Sequence, residues 1–279
     1  MAIPAETRMG AVHVTVAELT RSLDYYRRAI GLDVLEQAAG RASLGANSTE
    51  LLVLVEEPGA RPADGHTGLY HFALLLPTRA DLGRWLAHAA RDRVQLTGLS
   101  DHYVSEAIYL RDPDRHGIEI YADRPRELWE GQVGSRMTTE PLDVDSLLAE
   151  VGGASDFAGL PGGTVMGHVH LKVAGIPETI HFYRDVLGFD LVVERVPQAA
   201  FLSAGGYHHH IGANTWESTG AAPPPEGTAA LRHATIFLPS VEERDEVARR
   251  VAEAGQEPEE TSDGVTVRDP SGNRLVLAA

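Results

Sequence analysis

The 279-residue chain contains no cysteine, which excludes disulfides, thiolate metal ligands and cysteine nucleophiles. It has no apolar run of about 18 residues, so no segment reads as a membrane-spanning helix. Its start, Met1-Ala2-Ile3-Pro4-Ala5-Glu6, lacks the basic and apolar regions of a secretory signal. Positive charge is also scarce: 24 Lys and Arg stand against 40 Asp and Glu, a formal charge of −16 with no basic cluster. That speaks against nucleic acid and anionic membranes as partners. The expectation is a cytoplasmic protein that meets small molecules, with a homodimer as a plausible assembly because open sheet edges invite pairing.

What is present points to duplication. With 43% apolar residues and this length, about two domains of roughly 150 residues each are expected. The stretch Met166-Gly167-His168-Val169-His170-Leu171-Lys172-Val173 reads as a strand, with His168 and His170 on one face by period-2 alternation. Met9-Gly10-Ala11-Val12-His13-Val14-Thr15-Val16 repeats it 157 residues earlier, with Ala11 where the second copy has His168. The same offset relates Tyr26, Arg27, Gly31 and Asp33 to Tyr183, Arg184, Gly188 and Asp190.

Each opening strand is followed by a helix and three short strands. In the first unit the helix is expected over Asp24–Ile30, with Ser22 as a possible N-cap and Gly31 ending it. The second unit opens at Leu69–Pro77 and carries a helix near Arg79–Arg91 with Leu82, Trp85, Leu86 and Ala89 in one stripe. Its Arg111-Asp112-Pro113 recurs in the fourth unit as Arg268-Asp269-Pro270. The pattern predicts an α+β fold of four βαβββ modules paired into two domains, each a curved sheet around a cavity with helices outside. The expected divisions are 1–123 for an N-terminal pair, 124–164 for a linker anchored by Trp129, and 165–279 for a C-terminal pair.

The opening strand with histidine, the runs FYRDVLGF (Phe182–Phe189) and YYRRAIGL (Tyr25–Leu32), and DPSGNR (Asp269–Arg274) resemble the vicinal oxygen chelate superfamily. That superfamily holds glyoxalases, bleomycin-resistance proteins and extradiol dioxygenases, and the four-module layout is most similar to catechol 2,3-dioxygenase-like proteins. The resemblance implies a divalent metal, Fe(II) first and Mn or another metal next, held by two histidines and a carboxylate, with a small aromatic substrate. It implies His168 and His233 as metal ligands, with Val276 standing where a Glu is expected. His209 falls on the acid–base position, which suits an imidazole near neutral pH. Thr266 takes the place of an expected tyrosine three residues before the Asp-Pro turn.

Alternation suggests a repair in which His168, His170, His209 and His233 form an all-histidine cluster; otherwise His170 is a substrate-pocket wall. His71 and Glu119 read as a structural remnant or as substrate-pocket lining in the first domain, since Ala11 withholds a third ligand. His102 reads as part of an exposed connection. The main expectation is an extradiol dioxygenase in which the C-terminal pair holds the active site. The alternatives are a non-catalytic binding protein of the bleomycin-resistance type and a glyoxalase-like metal-dependent isomerase or lyase.

Overall fold

The computed structural model describes residues 2–152, 157–193 and 196–279. Four βαβββ modules are present. Module one opens with Arg8–Val16 and closes with the strands Asp33–Ala38, Arg41–Ala46 and Thr49–Glu56. Module two comprises Gly68–Leu75, the helix Arg79–Arg91, and the strands Leu96–Asp101, Ser105–Arg111 and Gly117–Asp123. Module three runs from Val165–Lys172 through Asp190–Val193 and Ala199–Ser203 to Ile211–Asn214. Module four has Leu231–Phe237, the helix Val241–Glu253, and the strands Glu259–Thr261, Gly264–Arg268 and Arg274–Ala278.

Local signals explain these elements. Thr78 and Ser240 cap their helices by accepting the backbone N–H three residues on. Leu82, Trp85, Leu86 and Ala89 are the buried stripe of the first of these. The helix of module one differs from expectation: it starts at Leu19, and Ser22 lies inside it with its hydroxyl near Asp114. Its last turn, Tyr26–Ile30, widens to a π-turn and stops at Gly31, whose φ of 90° suits glycine.

The modules combine in an order the repeat did not indicate. One sheet of eight strands joins modules one and four through antiparallel Arg8–Val16 and Leu231–Phe237. The other, of nine strands, joins modules two and three through Gly68–Leu75 and Val165–Lys172. The 1–123 and 165–279 divisions therefore do not coincide with the sheets. Every module offers an open edge on its first strand, and sequence similarity among the four cannot say which edges meet.

Sequence neighbours stay latched by side chains. Tyr26 donates to Asp112 at 2.8 Å, and Tyr183 donates to Asp269 at 3.2 Å. Each aspartate also accepts two backbone N–H groups of its own turn. The repeated Tyr-Arg and Asp-Pro letters thus belong to two buried latches, each worth about 1.5–3 kcal/mol as a hydrogen bond to a charged group. A single apolar cluster runs through both sheets. The segment after module two is tied in as well: Glu140–Pro141 adds an edge strand beside Leu96–Asp101, and Trp129 is buried with its indole N–H on the Arg124 carbonyl.

Candidate metal centre and cavity

The junction of modules two and three builds the site. In the ladder, Ala73 lies directly between His168 on one side and Glu119 on the other. Directly opposed residues share a face, and His71 shares it too because it precedes Ala73 by two positions. The small Ala73 side chain lets the three longer ones close over it. Glu119 Oε2 lies 3.0 Å from His71 Nε2 and 3.1 Å from His168 Nε2, and the two ring nitrogens are 3.4 Å apart. All three residues are buried.

This donor set fits a divalent metal. Two imidazole nitrogens and one carboxylate oxygen approach from one side, the facial pattern of non-haem Fe(II) sites. Bonds of about 2.1 Å would place neighbouring ligands of an octahedron about 3 Å apart, close to the separations present. Among the described residues, no other group of three such side chains converges in this way. Burial pulls the Glu119 carboxyl upward, but the neighbouring imidazoles of His168 and His71 outweigh it and hold it well below its ordinary range. Burial lowers His168 to about 4 even though Glu119 opposes the shift, so its ring is neutral near pH 7, as a ligand must be.

A cavity of about 670 Å³ opens above the triad. Its aromatic wall includes Tyr70, Phe201 and Trp216. Trp216 is about half exposed at the mouth, and its ring lies 5.4 Å from Tyr70 and 5.7 Å from His170. Opposite lie Thr97, Ser100, His102 and Tyr109, with Met137, Thr138 and Thr139 from the connecting segment. His102 Nδ1 donates to the Thr138 carbonyl at 2.7 Å, and Tyr109 donates to His102 Nε2 at 2.7 Å. His102 is thus a cavity residue that ties Tyr109 to the linker, contrary to the expectation of an exposed connection. Gly212 stands beside His170, where a Cβ would meet the imidazole at 2.8 Å, so only glycine leaves that ring its place.

The histidine triplet precedes its strand rather than forming it. Residues 207–210 are bent, and the ladder resumes at Ile211. Strict alternation therefore does not apply. His209 lines the cavity with its ring centroid 4.0 Å from that of His168. Burial, reinforced by the surrounding imidazoles, holds its pKa well below the ordinary value. His208 lies behind it, fully buried, and His210 accepts the Ala204 N–H.

Of the residues singled out from sequence, His168, His170 and His209 line this cavity. His233, Thr266 and Val276 belong to the other sheet. His233 lies opposite His13, with ring centroids 3.8 Å apart, and Thr266 faces Val276 across a ladder. No cluster of His168, His170, His209 and His233 forms. The residues beside His168 are His71 and Glu119, expected as a remnant or as pocket lining rather than as its partners, and the tyrosine three residues before an Asp-Pro turn is Tyr109, before Asp112. The signal for all three was present in module two. What sequence reasoning lacked was the pairing of module two with module three.

The profile of the Glyoxalase/Bleomycin resistance protein/Dioxygenase superfamily matches residues 8–120 and 165–277, and the chain belongs to that superfamily. Within it, the chain is 44% identical to the catechol-2,3-dioxygenase of Bacillus subtilis over 274 residues, covering 96% of this chain and 95% of that protein. Among solved structures, a provisionally assigned dioxygenase from Bacillus subtilis shares the fold with a TM-score of 0.67 at 14% identity, covering 100% of this chain and 86% of that one. Glyoxalase I from Zea mays does so with a TM-score of 0.61 at 18% identity, covering 98% and 92%. These two likenesses establish the two-sheet α+β architecture.

Proposed function

We propose that the chain is an extradiol dioxygenase that opens a catechol-like ring beside its two hydroxyls, with both atoms of O2 entering the product. The observation that carries this reading is the buried His71–Glu119–His168 triad at the floor of an aromatic-walled cavity. The near full-length similarity to a catechol-2,3-dioxygenase supports it. His71, Glu119 and His168 would hold the metal, Fe(II) before Mn. A divalent ion bound there would supply Lewis acidity and a redox-capable centre for O2.

The chain's own groups perform the remaining tasks. Tyr70, Phe201 and Trp216 form an apolar wall against which an aromatic ring can stack. His209, neutral and beside the triad, accepts a proton from one substrate hydroxyl and returns it later in the reaction. Tyr109, whose hydroxyl is anchored by His102, is placed to hydrogen-bond the substrate at the other side of the cavity. The buried floor keeps bulk water from the reacting atoms.

The test is metal content by mass spectrometry on untagged protein, together with O2 uptake on catechol. Near-stoichiometric iron or manganese, lost in His71→Ala, Glu119→Ala and His168→Ala, with catechol-dependent O2 uptake, is the expected result. Metal indifferent to all three changes, or no uptake by fully loaded protein across substituted catechols, would overturn the assignment.

A further inference from the structure

Two groups behind the cavity wall have no part in the roles above. His208 is fully buried, with its Nε2 2.9 Å from Asp123 Oδ1 and its Nδ1 2.8 Å from Nδ1 of His209. Asp123 ends the strand that carries Glu119, four residues further on and on the same face, with its side chain about a fifth exposed. Two facing ring nitrogens form a hydrogen bond only if one carries hydrogen and the other is bare. The direction of that bond decides which nitrogen of His209 is left for the cavity.

We propose that Asp123 and His208 are positioning residues that hold His209 in the tautomer with Nδ1 protonated and Nε2 bare toward the cavity. The inference rests on the dioxygenase reading only for its catalytic consequence. An ionised carboxylate only accepts, so the hydrogen of His208 lies on Nε2. His208 is enclosed by the rings of Tyr207, Trp129 and Tyr121, with centroids at 4.0, 5.7 and 6.1 Å. With that hydrogen engaged at Nε2, Nδ1 of His208 is the bare partner of the facing pair and accepts the N–H of His209 Nδ1. The remaining nitrogen of His209, Nε2, keeps its lone pair, and no hydrogen bond to it occurs among the described residues.

The chemical consequence is specific. When a substrate hydroxyl yields its proton, the O–H bond breaks and a new N–H bond forms at His209 Nε2. The positive charge on that ring is stabilised through His208 by Asp123. A carboxylate holding an imidazole in its working tautomer is a recurring device in acid–base and metal sites. Here a second imidazole stands between the carboxylate and the working ring and relays the same preference, since each N–H of the chain points toward Asp123.

The experiment uses full-length protein with 15N-labelled histidine, loaded with diamagnetic zinc, and long-range proton–nitrogen spectra that separate protonated from bare ring nitrogens. His209 is assigned with His209→Gln. The expected result is a protonated Nδ1 and bare Nε2 at His209, switched to the opposite tautomer in Asp123→Ala. In the iron-loaded enzyme, Asp123→Ala should lower kcat about 10- to 100-fold, with KM within about twofold and metal content unchanged. A wild-type His209 with bare Nδ1 would overturn the proposal, as would an Asp123→Ala protein that keeps both tautomer and kcat. The wild-type spectrum needs no variant to fold, and it decides the tautomer even if the loaded chain opens no ring.

Discussion

The two sheets are built alike and equipped differently. At the junction of modules two and three, one ladder row reads Arg111, Gly117, His71, His170. The matching row at the junction of modules one and four reads Arg268, Arg274, His233, His13. His168 has its counterpart in Ala11, Glu119 in Val276, and Tyr109 in Thr266. The modules one and four junction therefore keeps two histidines and has neither the carboxylate nor the third ligand. Burial, with smaller contributions from nearby arginines and against the opposing Asp263, lowers His13 to about 3 and His233 to about 4. A shared backbone thus carries a converging His–Glu–His triad in one junction and none among the described residues of the other, and the difference amounts to a handful of side chains.

The most forceful way to break this comparison is to remove the carboxylate. Glu119→Ala should empty the metal site and lower ring-opening turnover by more than about 100-fold, because ligand loss exceeds the cost of losing a supporting partner. His233→Ala should leave metal content and turnover within about twofold of wild type. Metal analysis and O2 uptake on both proteins check this, and equal losses would show that the two junctions are not independent.

The complementary change is to convert the second junction. Ala11→His with Val276→Glu and Arg274→Gly places the missing ligands and removes one guanidinium that acts on His233. Metal content should rise from about one toward about two per chain, with weaker affinity at the new site because its supporting partners are absent. Titration with Mn(II) and a count of bound ions would read this directly. A count that stays at one would show that the backbones of the two junctions differ more than their registers do.

Acid should act on both junctions. His210 is lowered from 6.5 to about 3, chiefly by burial and then by the imidazoles of His208 and His168. A depressed histidine pKa means the unfolded chain takes up the proton first. Its contribution to stability is complete above pH 6.5 and is lost as pH falls toward 3. At pH 5 the loss from this one group is about 2 kcal/mol. His210→Gln, which keeps an acceptor near the Ala204 N–H, should flatten the stability profile between pH 7 and 5 by that amount in urea titrations.

The smallest expected effect is at the cavity mouth. Trp216→Ala should raise KM for catechol about three- to tenfold with kcat within about twofold, since one aromatic contact contributes about 0.5–1.5 kcal/mol. Steady-state kinetics on a substituted and an unsubstituted catechol would sharpen this, with the substituted ring losing more.

Local and repeating signals along the chain suffice to specify the modules. Period-2 strands, a 3.6-residue apolar stripe at Leu82–Ala89, glycines at helix ends and a repeat at 157 residues are local or self-similar signals, and they survive without tertiary information. The sequence also placed His168, His170 and His209 at positions that prove to face one cavity. Which modules share a sheet was decided only in three dimensions. Edge pairing depends on how two latched halves close over a common core, and the four opening strands present the same backbone hydrogen-bonding edge. That one choice moved the carboxylate from Val276 to Glu119, the tyrosine from Thr266 to Tyr109, and the second histidine from His233 to His71.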